Sequence, residues 1–388
     1  MSKIDQRIKI IHIITKLELG GAQLNTIYTL QHLDRGLFEP ILITGAEGKL
    51  LPEAFNINAL NIHIIDDLVR ELKPVKDFKA FISIMKILRN IVKTSDGKKV
   101  IVHTHSSKAG IIGRWAACFS AATIIIHTFH GFGFNDYQNY CKRKLFIYLE
   151  RISAKISDKL IVVSKANMIK ALKLRIGMEN QYTLIRSGIK IIDFSEAKVS
   201  KQEARKSINV TDESPLIGCI SCFKPQKNLI SFIQIAKEVN KKLPDTKFVL
   251  VGDGEQRGQI EYEIKKLGLE NSFLLLGWRK DIPMIMRAID MLVHTSLWEG
   301  LPRVFPEAMA SGVPIIATRV DGAEEAIENG KNGYLFLPEE KIIMAEKIVE
   351  LINHPELLHE LGNAGRNMVH KFCIDAMVRE QEQLYLSF

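Results

Sequence analysis

The chain has 388 residues, which is too long for one ordinary domain and suits two. A hydrophobic content of 46% and a charged content of 25% indicate a globular soluble protein, and five scattered cysteines exclude a disulfide framework. The net charge of +9 permits an anionic partner, but no nucleic-acid-binding motif stands out. A signal peptide is not expected, because the apolar run Ile8–Ile14 is too short.

Strand and helix patterns alternate through the first half of the chain. Strands are predicted at Ile8–Ile14, Pro40–Thr44, Ile62–Ile65, Val100–His103, Thr123–Thr128 and Lys159–Val163. Helices are predicted from Gly20 to about Leu33 and at Phe78–Val92, Lys108–Phe119, Asn139–Ile156 and Lys165–Leu174. The uncharged run Trp115–Asn135 is interpreted as helix end, buried strand and loop, because its polar residues disfavour a membrane span. The alternation predicts a parallel sheet with helices on both faces.

The second half repeats this organisation after a polar connection, Ser187–Ser214, which contains a short predicted helix. Strands are predicted at Leu216–Ile220, Phe248–Val251, Phe273–Leu276, Met291–His294, Pro314–Ala317 and Gly333–Phe336. Helices are predicted after most of these strands, and those with stated bounds are Lys201–Ser207, Arg303–Ser311, Ile342–Asn353, Pro355–His370 and Ile374–Leu386. We therefore expect two Rossmann-like α/β domains, residues 1–190 and 191–372, with a ligand cleft between them and a last helix at 373–388.

Two carboxylates, Glu299 and Glu307, follow the predicted strand Met291–His294. The first lies in a turn rich in glycine and proline, and the second lies in the predicted helix Arg303–Ser311. In an open parallel sheet, ligands bind at the carboxyl ends of the strands. Ionised carboxylates there suit a ligand rich in hydroxyl groups, because they accept hydrogen bonds. For an isolated pair, two solvated acids beside a helix are the usual explanation, and the surrounding sequence is what favours a ligand site here.

Positively charged and glycine residues occupy comparable loops. Lys224 and Lys227 lie between a strand end and a helix start, where two cations suit a diphosphate, although isolated surface lysines are common. Gly20 and Gly21 lie between the first strand and the first helix. Glycines allow close approach of the backbone to a ligand, and free helix N–H groups favour anions, but a plain tight turn has the same pattern.

Histidine and cysteine residues give weaker signals. His130 ends a buried strand beside a glycine-rich turn, where it could donate to a substrate oxygen or move a proton; a hydrogen-bonded core histidine is the usual alternative. No metal site is predicted at His103 and His105, because no third and fourth ligands appear at suitable spacing. Cys219 and Cys222 are interpreted as packing residues, because no second pair accompanies them.

With these segments placed, the chain resembles glycosyltransferase family 4, whose members are retaining enzymes of the GT-B fold that use nucleotide-sugar donors. The most specific element is Glu299-x7-Glu307 inside the frame E-G-x-P-x-x-x-x-E-A-M-A-x-G-x-P-I-I-A. Supporting matches, in chain order, are Gly20-Gly-Ala-Gln23, His103-Thr-His-Ser-Ser-Lys-Ala-Gly110, His130-Gly-Phe-Gly-Phe134, Lys224-Pro-Gln-Lys-Asn228, Val251-Gly-Asp-Gly254, Leu276-Gly-Trp-Arg279 and Asn332-Gly-Tyr-Leu-Phe336. The resemblance runs nearly end to end and implies two domains facing each other across a cleft, with the last helix crossing back to the first domain.

The resemblance also implies roles for individual residues. Glu307 should hold the donor ribose, and Glu299 should face the donor sugar and the reacting centre. Lys227 should bind the diphosphate, with Gly20 and Gly21 approaching it from the other domain. The remaining implied contacts are His130 with the hexose near its anomeric carbon, Arg279 beside the nucleobase, and the backbone of Gly300, Leu301, Pro302 and Arg303 with sugar hydroxyls and phosphate.

One departure from the family pattern concerns the phosphate site. Many members carry Gly-Arg two residues before the Lys224-Pro-Gln-Lys227 segment, whereas this chain has Ser221-Cys222. Lys224 is a candidate for the missing charge, and the role of the arginine could also lie elsewhere in the chain.

These observations lead to the expectation of a cytoplasmic retaining glycosyltransferase. It would move a hexose or N-acetylhexosamine from a UDP-linked sugar to a glycan or lipid-linked acceptor in cell-surface polysaccharide synthesis. No metal cofactor is expected, because the sequence contains no Asp-x-Asp triplet to hold an ion and the lysines can take the place of a metal at the diphosphate. No nucleic acid partner is expected. A weak peripheral association with anionic membrane is expected from the basic charge. The alternatives are another GT-B enzyme, such as a nucleotide-sugar epimerase or an inverting transferase, and a non-enzymatic sugar- or nucleic-acid-binding module.

Overall fold

The computed structural model describes residues 7–122, 124–196, 199–211 and 213–388. The chain divides into two compact units, one made of Met1–Gly188 with Ile374–Phe388 and the other made of Ile189–Cys373. Each unit is built on one parallel sheet flanked by helices. The predicted fold class, two parallel-sheet α/β units, is therefore confirmed.

The first unit contains seven parallel strands. They are β1 (Ile8–Ile14), β2 (Phe38–Thr44), β3 (Asn61–Ile64), β4 (Val100–His105), β5 (Ile124–Phe129), β6 (Lys159–Val162) and β7 (Tyr182–Leu184). Their order in the sheet is β3-β2-β1-β4-β5-β6-β7. The helices between them are α1 (Gly21–His32), α2 (Leu51–Phe55), α3 (Pro74–Lys93), α4 (Ser107–Cys118), α5 (Tyr140–Ala154) and α6 (Lys165–Lys173), with a 3-10 turn at Glu179–Gln181.

The second unit contains six strands, also parallel. They are β8 (Leu216–Ile220), β9 (Lys247–Val251), β10 (Phe273–Leu275), β11 (Met291–His294), β12 (Ile315–Thr318) and β13 (Gly333–Phe336), in the order β10-β9-β8-β11-β12-β13. Its helices are α7 (Ile191–Ser195), α8 (Lys201–Lys206), α9 (Leu229–Lys242), α10 (Arg257–Lys266), α11 (Ile282–Ala288), α12 (Val304–Ser311), α13 (Ala323–Ala326), α14 (Lys341–Ile352) and α15 (Pro355–Met368), with 3-10 turns at Pro225–Lys227 and Val369–Phe372.

The last helix, α16 (Ile374–Leu386), packs in the first unit. Its apolar residues Met377 and Tyr385 join a buried cluster that includes Ile10, Phe38 and Ile126. The sheet strands are continuous apolar runs because helices cover both of their faces. The C-terminal segment therefore completes the core of the unit in which the chain begins.

The predicted and observed elements differ mainly in short segments. The sequence did not predict α2, β7 or α7, because three to five residues are too few to show a helical or strand period. Thr123, the predicted first residue of a strand, lies outside the described residues, and β5 begins at Ile124. Among the described helices, none combines the length and the apolar character that crossing a bilayer requires.

Candidate active site

In both sheets the order of the strands reverses at one point, between β1 and β4 and between β8 and β11. Such a point is where a ligand can bind. In the second unit, β8 lies beside β11 although their first residues, Leu216 and Met291, are far apart in the chain, and the strand order runs outward from this pair. The loops that follow two such strands diverge and leave a crevice at their carboxyl ends. Lys227 lies in the loop after β8, and Glu299 lies in the loop after β11. The topology thus brings these two residues to one edge of the sheet.

Lys227 and Glu299 are in direct contact. The Lys227 ammonium forms an ion pair with Oε1 of Glu299, and only 15% and 10% of the two side chains are exposed. The loops are also joined by backbone: Gln226 Nε2 donates to the carbonyl of Trp298 at 2.7 Å, and the N–H of Leu297 donates to the carbonyl of Gln226 at 2.8 Å. These bonds hold the lysine and the carboxylate in a fixed relation.

Two further side chains bind the same carboxylate oxygen. Ser296 Oγ donates to Glu299 Oε1 at 2.8 Å, and His294 Nε2 lies 3.4 Å from that oxygen and 2.8 Å from Ser296 Oγ. Burial alone would raise the pKa of Glu299, but the charge of Lys227 and the bond with His294 outweigh it and lower the pKa to about 2. Glu299 is therefore ionised at neutral pH, with its Oε1 fully engaged.

Several groups around this carboxylate remain available to a ligand. Within the described part of the chain, Glu299 Oε2 has no hydrogen-bond partner, and neither do the backbone N–H groups of Gly300, Leu301 and Arg303. Pro302 has no amide hydrogen, so its backbone cannot donate to a phosphate, and only the N–H groups of its neighbours can do so. The three free N–H groups precede α12, where the helix dipole adds to their attraction for an anion.

The second acid, Glu307, has a different partner. It lies in the first turn of α12 and pairs with Arg303, whose Nε and terminal nitrogen each lie 3.3 Å from Glu307 Oε1. Burial raises the pKa of Glu307, and Arg303 opposes this shift. The direct contacts therefore form two separate pairs among the described residues: Glu299 pairs with Lys227, and Glu307 pairs with Arg303.

The other residues predicted in this unit lie apart from that ion pair. Across the residues that the structure describes, the Lys224 side chain makes no hydrogen bond or ion pair, and it is partly buried. Arg279 is held by Asp281 through two hydrogen bonds of 2.7 and 2.5 Å. Cys219 is buried and Cys222 is partly buried, and both are free thiols.

Gly322 allows its own backbone and the loop that contains Gly300 to pack closely against each other. A Cβ atom on Gly322, just after β12, would lie 1.5 Å from the carbonyl oxygen of Gly300. No real side chain tolerates such a distance, so only glycine fits at this position. Gly322 thus fixes the path of the backbone that carries the free N–H groups.

In the first unit, His130 follows β5 and is linked to other imidazoles. Its Nε2 lies 3.1 Å from Nδ1 of His105, and Nε2 of His105 lies 2.8 Å from Nδ1 of His12. Burial lowers the pKa of His130 to about 4, so the ring is neutral at pH 7. Gly131 beside it has a φ of 142°, in the region that favours glycine.

His12, His103 and His105 form a set of three imidazoles that the spacing of the sequence does not show. His12 lies opposite His103 in the pairing of β1 with β4, and nitrogens of the three rings lie within 4.8 Å of one another. Such a set could in principle ligate a metal ion. However, hydrogen bonds engage both ring nitrogens of each of these histidines, with Tyr385, Thr128, His130 or one another as partners.

Gly20 and Gly21 lie where the sequence predicted them, at the start of α1. Gly20 is in an extended conformation before the helix, and Gly21 is its first residue. Further along α1, Asn25 and Thr29 line a cavity of about 20 Å³ together with His105 and His130. The helix that begins at these glycines therefore borders the imidazoles.

Comparisons with known proteins decide the family. The model described as Glycosyltransferase Family 4 matches residues 19–191, and the model described as Glycosyl transferases group 1 matches residues 200–368. The chain belongs to the family 4 glycosyltransferases. The resemblance read from the motifs is thus confirmed, and the protein is a glycosyltransferase.

Relatives and solved structures agree with this assignment. The glycosyltransferase is 29% identical over 389 residues to the UDP-Gal:alpha-D-GlcNAc-diphosphoundecaprenol alpha-1,3-galactosyltransferase of Escherichia coli, across 100% of this chain and 98% of the relative. It is 25% identical over 352 residues to the capsular polysaccharide biosynthesis glycosyltransferase CapM of Staphylococcus aureus, across 85% and 90% of the two chains. The crystal structure of Anabaena HepE in complex with UDP-glucose matches with a TM-score of 0.82 and 22% identity, over 98% of this chain and 100% of that one, which shows a shared fold.

Sequence reasoning missed four of the side chains that organise these sites. His294 and Ser296 bind Glu299, and His12 and Tyr385 bind other members of the imidazole set. A signal existed for the first two, because His294 ends β11 and Ser296 follows it, both within five residues of Glu299. For His12, the only signal would have been the order of the strands, which places β1 beside β4.

Proposed function

We propose that this glycosyltransferase moves a hexose or N-acetylhexosamine from a UDP-linked sugar to a lipid-linked or glycan acceptor, with retention of configuration and without a metal ion. In this proposal, residues 1–190 hold the acceptor and residues 191–372 hold the nucleotide sugar. The E. coli relative, whose name specifies a UDP-linked donor and an acceptor on diphosphoundecaprenol, supports the donor and acceptor classes. The name of CapM supports a role in surface polysaccharide synthesis.

The observation that carries the proposal is the ion pair between Lys227 and Glu299 at the switch point of the second sheet. A sugar diphosphate offers hydroxyl groups at one end and negative charge at the other. Glu299 Oε2 accepts hydrogen bonds from sugar hydroxyls, and the protons of Lys227 that Glu299 does not engage bind phosphate oxygens. One contact between two side chains thus provides opposite charges for opposite ends of the donor.

Charge development in the reaction explains the need for cations. Breaking the bond between the anomeric carbon and the diphosphate builds positive charge on the sugar and negative charge on the leaving group. Lys227, Lys224 and the free N–H groups of Gly300, Leu301 and Arg303 stabilise the leaving diphosphate, because preorganised donors stabilise developing negative charge. These groups do the work that a bound metal ion does in other transferases.

The remaining site residues position the donor. Glu307 accepts hydrogen bonds from the ribose, and the segment of Arg279 lies beside the nucleobase. Gly20 and Gly21 provide backbone N–H groups for the diphosphate, and His130 contacts the hexose. The contact with Arg303 favours the carboxylate form of Glu307, against the burial that raises its pKa, and this form accepts hydrogen bonds with both oxygens.

A surface of the first unit supports a weak association with anionic membrane. On and beside α5, the side chains of Tyr140, Leu145 and Tyr148 are 64%, 54% and 59% exposed. Lys142 and Lys144 are exposed on the same helix, and Lys144 lies 4.3 Å from the centre of the Tyr140 ring. Exposed aromatic groups interleaved with basic groups suit the interface of a bilayer with anionic lipids. We propose that the enzyme works in the cytoplasm, peripherally bound to the inner face of the cell membrane.

Transfer assays test the catalytic proposal. Purified enzyme is incubated with UDP-linked hexoses and N-acetylhexosamines and with a lipid-diphosphate-linked sugar acceptor, and the product anomer is determined by NMR. We expect transfer with the donor's anomeric configuration, unchanged by excess EDTA. Glu299→Gln keeps the shape of the side chain but removes its charge, so kcat should fall by about 100-fold or more. Glu339→Gln, an exposed carboxylate in the same unit, is the matched control and should retain full activity.

Distinct results would reject distinct parts of the proposal. An inverted product anomer rejects retention, and loss of transfer on chelation rejects metal independence. An epimerised donor without transfer identifies another GT-B reaction. Full activity of Glu299→Gln would show that the charge of Glu299 has no part in the reaction.

A further inference from the structure

A continuous set of hydrogen bonds connects His130 to helix α16 of the first unit. It runs from His130 to His105, from His105 to His12, and from His12 to the hydroxyl of Tyr385, with N···N and N···O distances of 3.1, 2.8 and 3.4 Å. The Tyr385 hydroxyl also lies 3.2 Å from Oε1 of Gln381. At the other end, Nδ1 of His130 is buried and has no partner among the described residues. The direction of these bonds decides whether that nitrogen carries a proton.

The Tyr385 hydroxyl is the branch point of the set, because it lies within hydrogen-bond distance of three groups. They are Gln381 Oε1 at 3.2 Å, His103 Nδ1 at 2.6 Å and His12 Nε2 at 3.4 Å. The hydroxyl has one proton to donate, and a carbonyl oxygen can only accept. To satisfy Gln381, Tyr385 must donate to it, and both imidazole nitrogens must then donate to the Tyr385 oxygen.

This assignment propagates through the other rings. A neutral imidazole carries one N–H, so His12, protonated on Nε2, accepts at Nδ1 from Nε2 of His105. His105 then accepts at Nδ1 from Nε2 of His130. His130 has thereby used its only proton, and its Nδ1 is left with a bare lone pair.

The surroundings keep these rings neutral. Burial, with repulsion between the protonated forms of His12 and His130 as a smaller contribution, lowers the pKa of His12 to about 3. Burial also lowers the pKa of His105 well below its ordinary value and that of His130 to about 4. His103 completes the branch by accepting at Nε2 from Thr128 Oγ1 at 2.7 Å. Each hydrogen bond of the set is then made once, with one donor and one acceptor.

We propose that Gln381 and Tyr385 are positioning residues that fix His130 as the Nε2-protonated tautomer, so that its Nδ1 accepts a hydrogen bond from a hydroxyl of the donor sugar. The tautomer follows from the hydrogen bonds alone, whereas the contact with a sugar hydroxyl rests on the proposed function. An acceptor nitrogen discriminates against a sugar that lacks this hydroxyl, because a buried nitrogen would be left unpaired. The C-terminal helix thereby acts on sugar recognition without touching the sugar.

The tautomer is measured directly by NMR of the full-length protein labelled with ¹⁵N-histidine. In the wild type, His130 should show a protonated Nε2 and an unprotonated Nδ1, and comparison with His130→Asn identifies its resonances. Gln381→Met removes the acceptor and frees the Tyr385 proton to bind His12 or His103. His130 should then become a mixture of both tautomers. Val378→Ala, a buried apolar change on the same helix, should leave the tautomer unchanged.

Three NMR results would overturn the inference. One is a wild-type His130 protonated on Nδ1, which would mean that Tyr385 donates to His12 rather than to Gln381 and that each bond from Tyr385 to His130 is reversed. Another is a Gln381→Met protein whose His130 tautomer equals that of the wild type. Should Gln381→Met fail to fold, Tyr385→Phe removes the branch point itself and must also yield mixed tautomers, and an unmixed His130 there counts equally against the inference.

Donor kinetics test the contact with sugar separately. If only the Nε2-protonated form binds the sugar, the donor KM of Gln381→Met rises by 1/f, where f is the fraction of that form seen by NMR. Equal populations give an increase of about twofold with kcat unchanged. A shifted tautomer with an unchanged KM would refute the sugar contact but leave the tautomer assignment standing. If the wild-type protein bound none of the UDP-sugars, the proposed function itself would be rejected.

Discussion

Replacement of Lys227 by methionine tests the ion pair on which the donor site depends. The variant keeps an unbranched side chain of similar length but leaves the carboxylate of Glu299 buried without its cation. In the wild type, the pKa of Glu299 falls from 4.5 to about 2, and this depression corresponds to ~3 kcal/mol of stability at neutral pH, since one pKa unit equals about 1.4 kcal/mol. We therefore expect Lys227→Met to destabilise the second unit by ~3 kcal/mol at pH 7.

The loss of stability in Lys227→Met should depend on pH. Because the folded-state pKa of Glu299 lies below the unfolded-state value, its contribution is complete above about pH 4.5 and is lost as the pH falls toward 2. Without Lys227, burial raises the pKa of Glu299, so the variant carboxyl takes up a proton more readily. The difference in unfolding free energy between wild type and variant should thus be smaller at pH 4 than at pH 7.

Urea unfolding at both pH values provides the measurement. Trp278 and Trp298 lie in the second unit, so a Trp115→Phe background restricts the fluorescence signal to that unit. Lys224→Met is the matched control, since Lys224 is three residues away and its side chain makes no bond with any described residue; it should change stability by less than about 0.5 kcal/mol. The double variant Lys227→Met/Glu299→Gln should recover most of the loss, because no charge remains buried. A cost for Lys227→Met no greater than that of Lys224→Met, or a cost independent of pH, would refute the reasoning.

Two further predictions concern the loop of Gly300 and the surface of α5. Gly322→Ala places a Cβ 1.5 Å from the carbonyl oxygen of Gly300, so the loop must shift and the affinity for UDP, measured by calorimetry, should fall at least about tenfold. Gly258→Ala, where the added Cβ meets no atom within 4 Å, is the control, and equal UDP affinity of both variants would show that the loop does not contact the nucleotide. Lys142→Glu/Lys144→Glu should abolish cosedimentation with phosphatidylglycerol vesicles at low salt. Unchanged sedimentation would exclude the α5 surface as the membrane contact.

The sequence predicted the fold and the shared sheet edge of Lys227 and Glu299 because both depend on local patterns. Strands such as β8 and β11 are short apolar runs bounded by turn residues, and their ends place Lys227 and Glu299 at the same sheet edge. The pairing of Glu307 with Arg303 was within reach as well, since residues four apart share a helix face. It was overlooked because Arg303 was assigned to phosphate through its backbone alone.

The imidazole set could not be predicted in the same way. His12 and His105 are 93 residues apart, and they meet only because the chain returns to place β4 beside β1. Tyr385 is 373 residues from His12 and arrives through the last helix. No periodicity connects positions so distant, so their contact depends on tertiary packing.

The direction of each hydrogen bond is information that neither the composition nor the strand order contains. His103 and His105 project from the same face of β4, which made a metal site worth considering, yet their ring nitrogens bond to different partners. The deciding atom is the carbonyl oxygen of Gln381, because it is the one member of the set that cannot donate. A single amide on α16 therefore assigns donor and acceptor roles to rings on two strands. It follows that a substitution of Gln381 by a residue of equal size can alter sugar recognition while the fold, the charge and the positions of all four histidines stay the same.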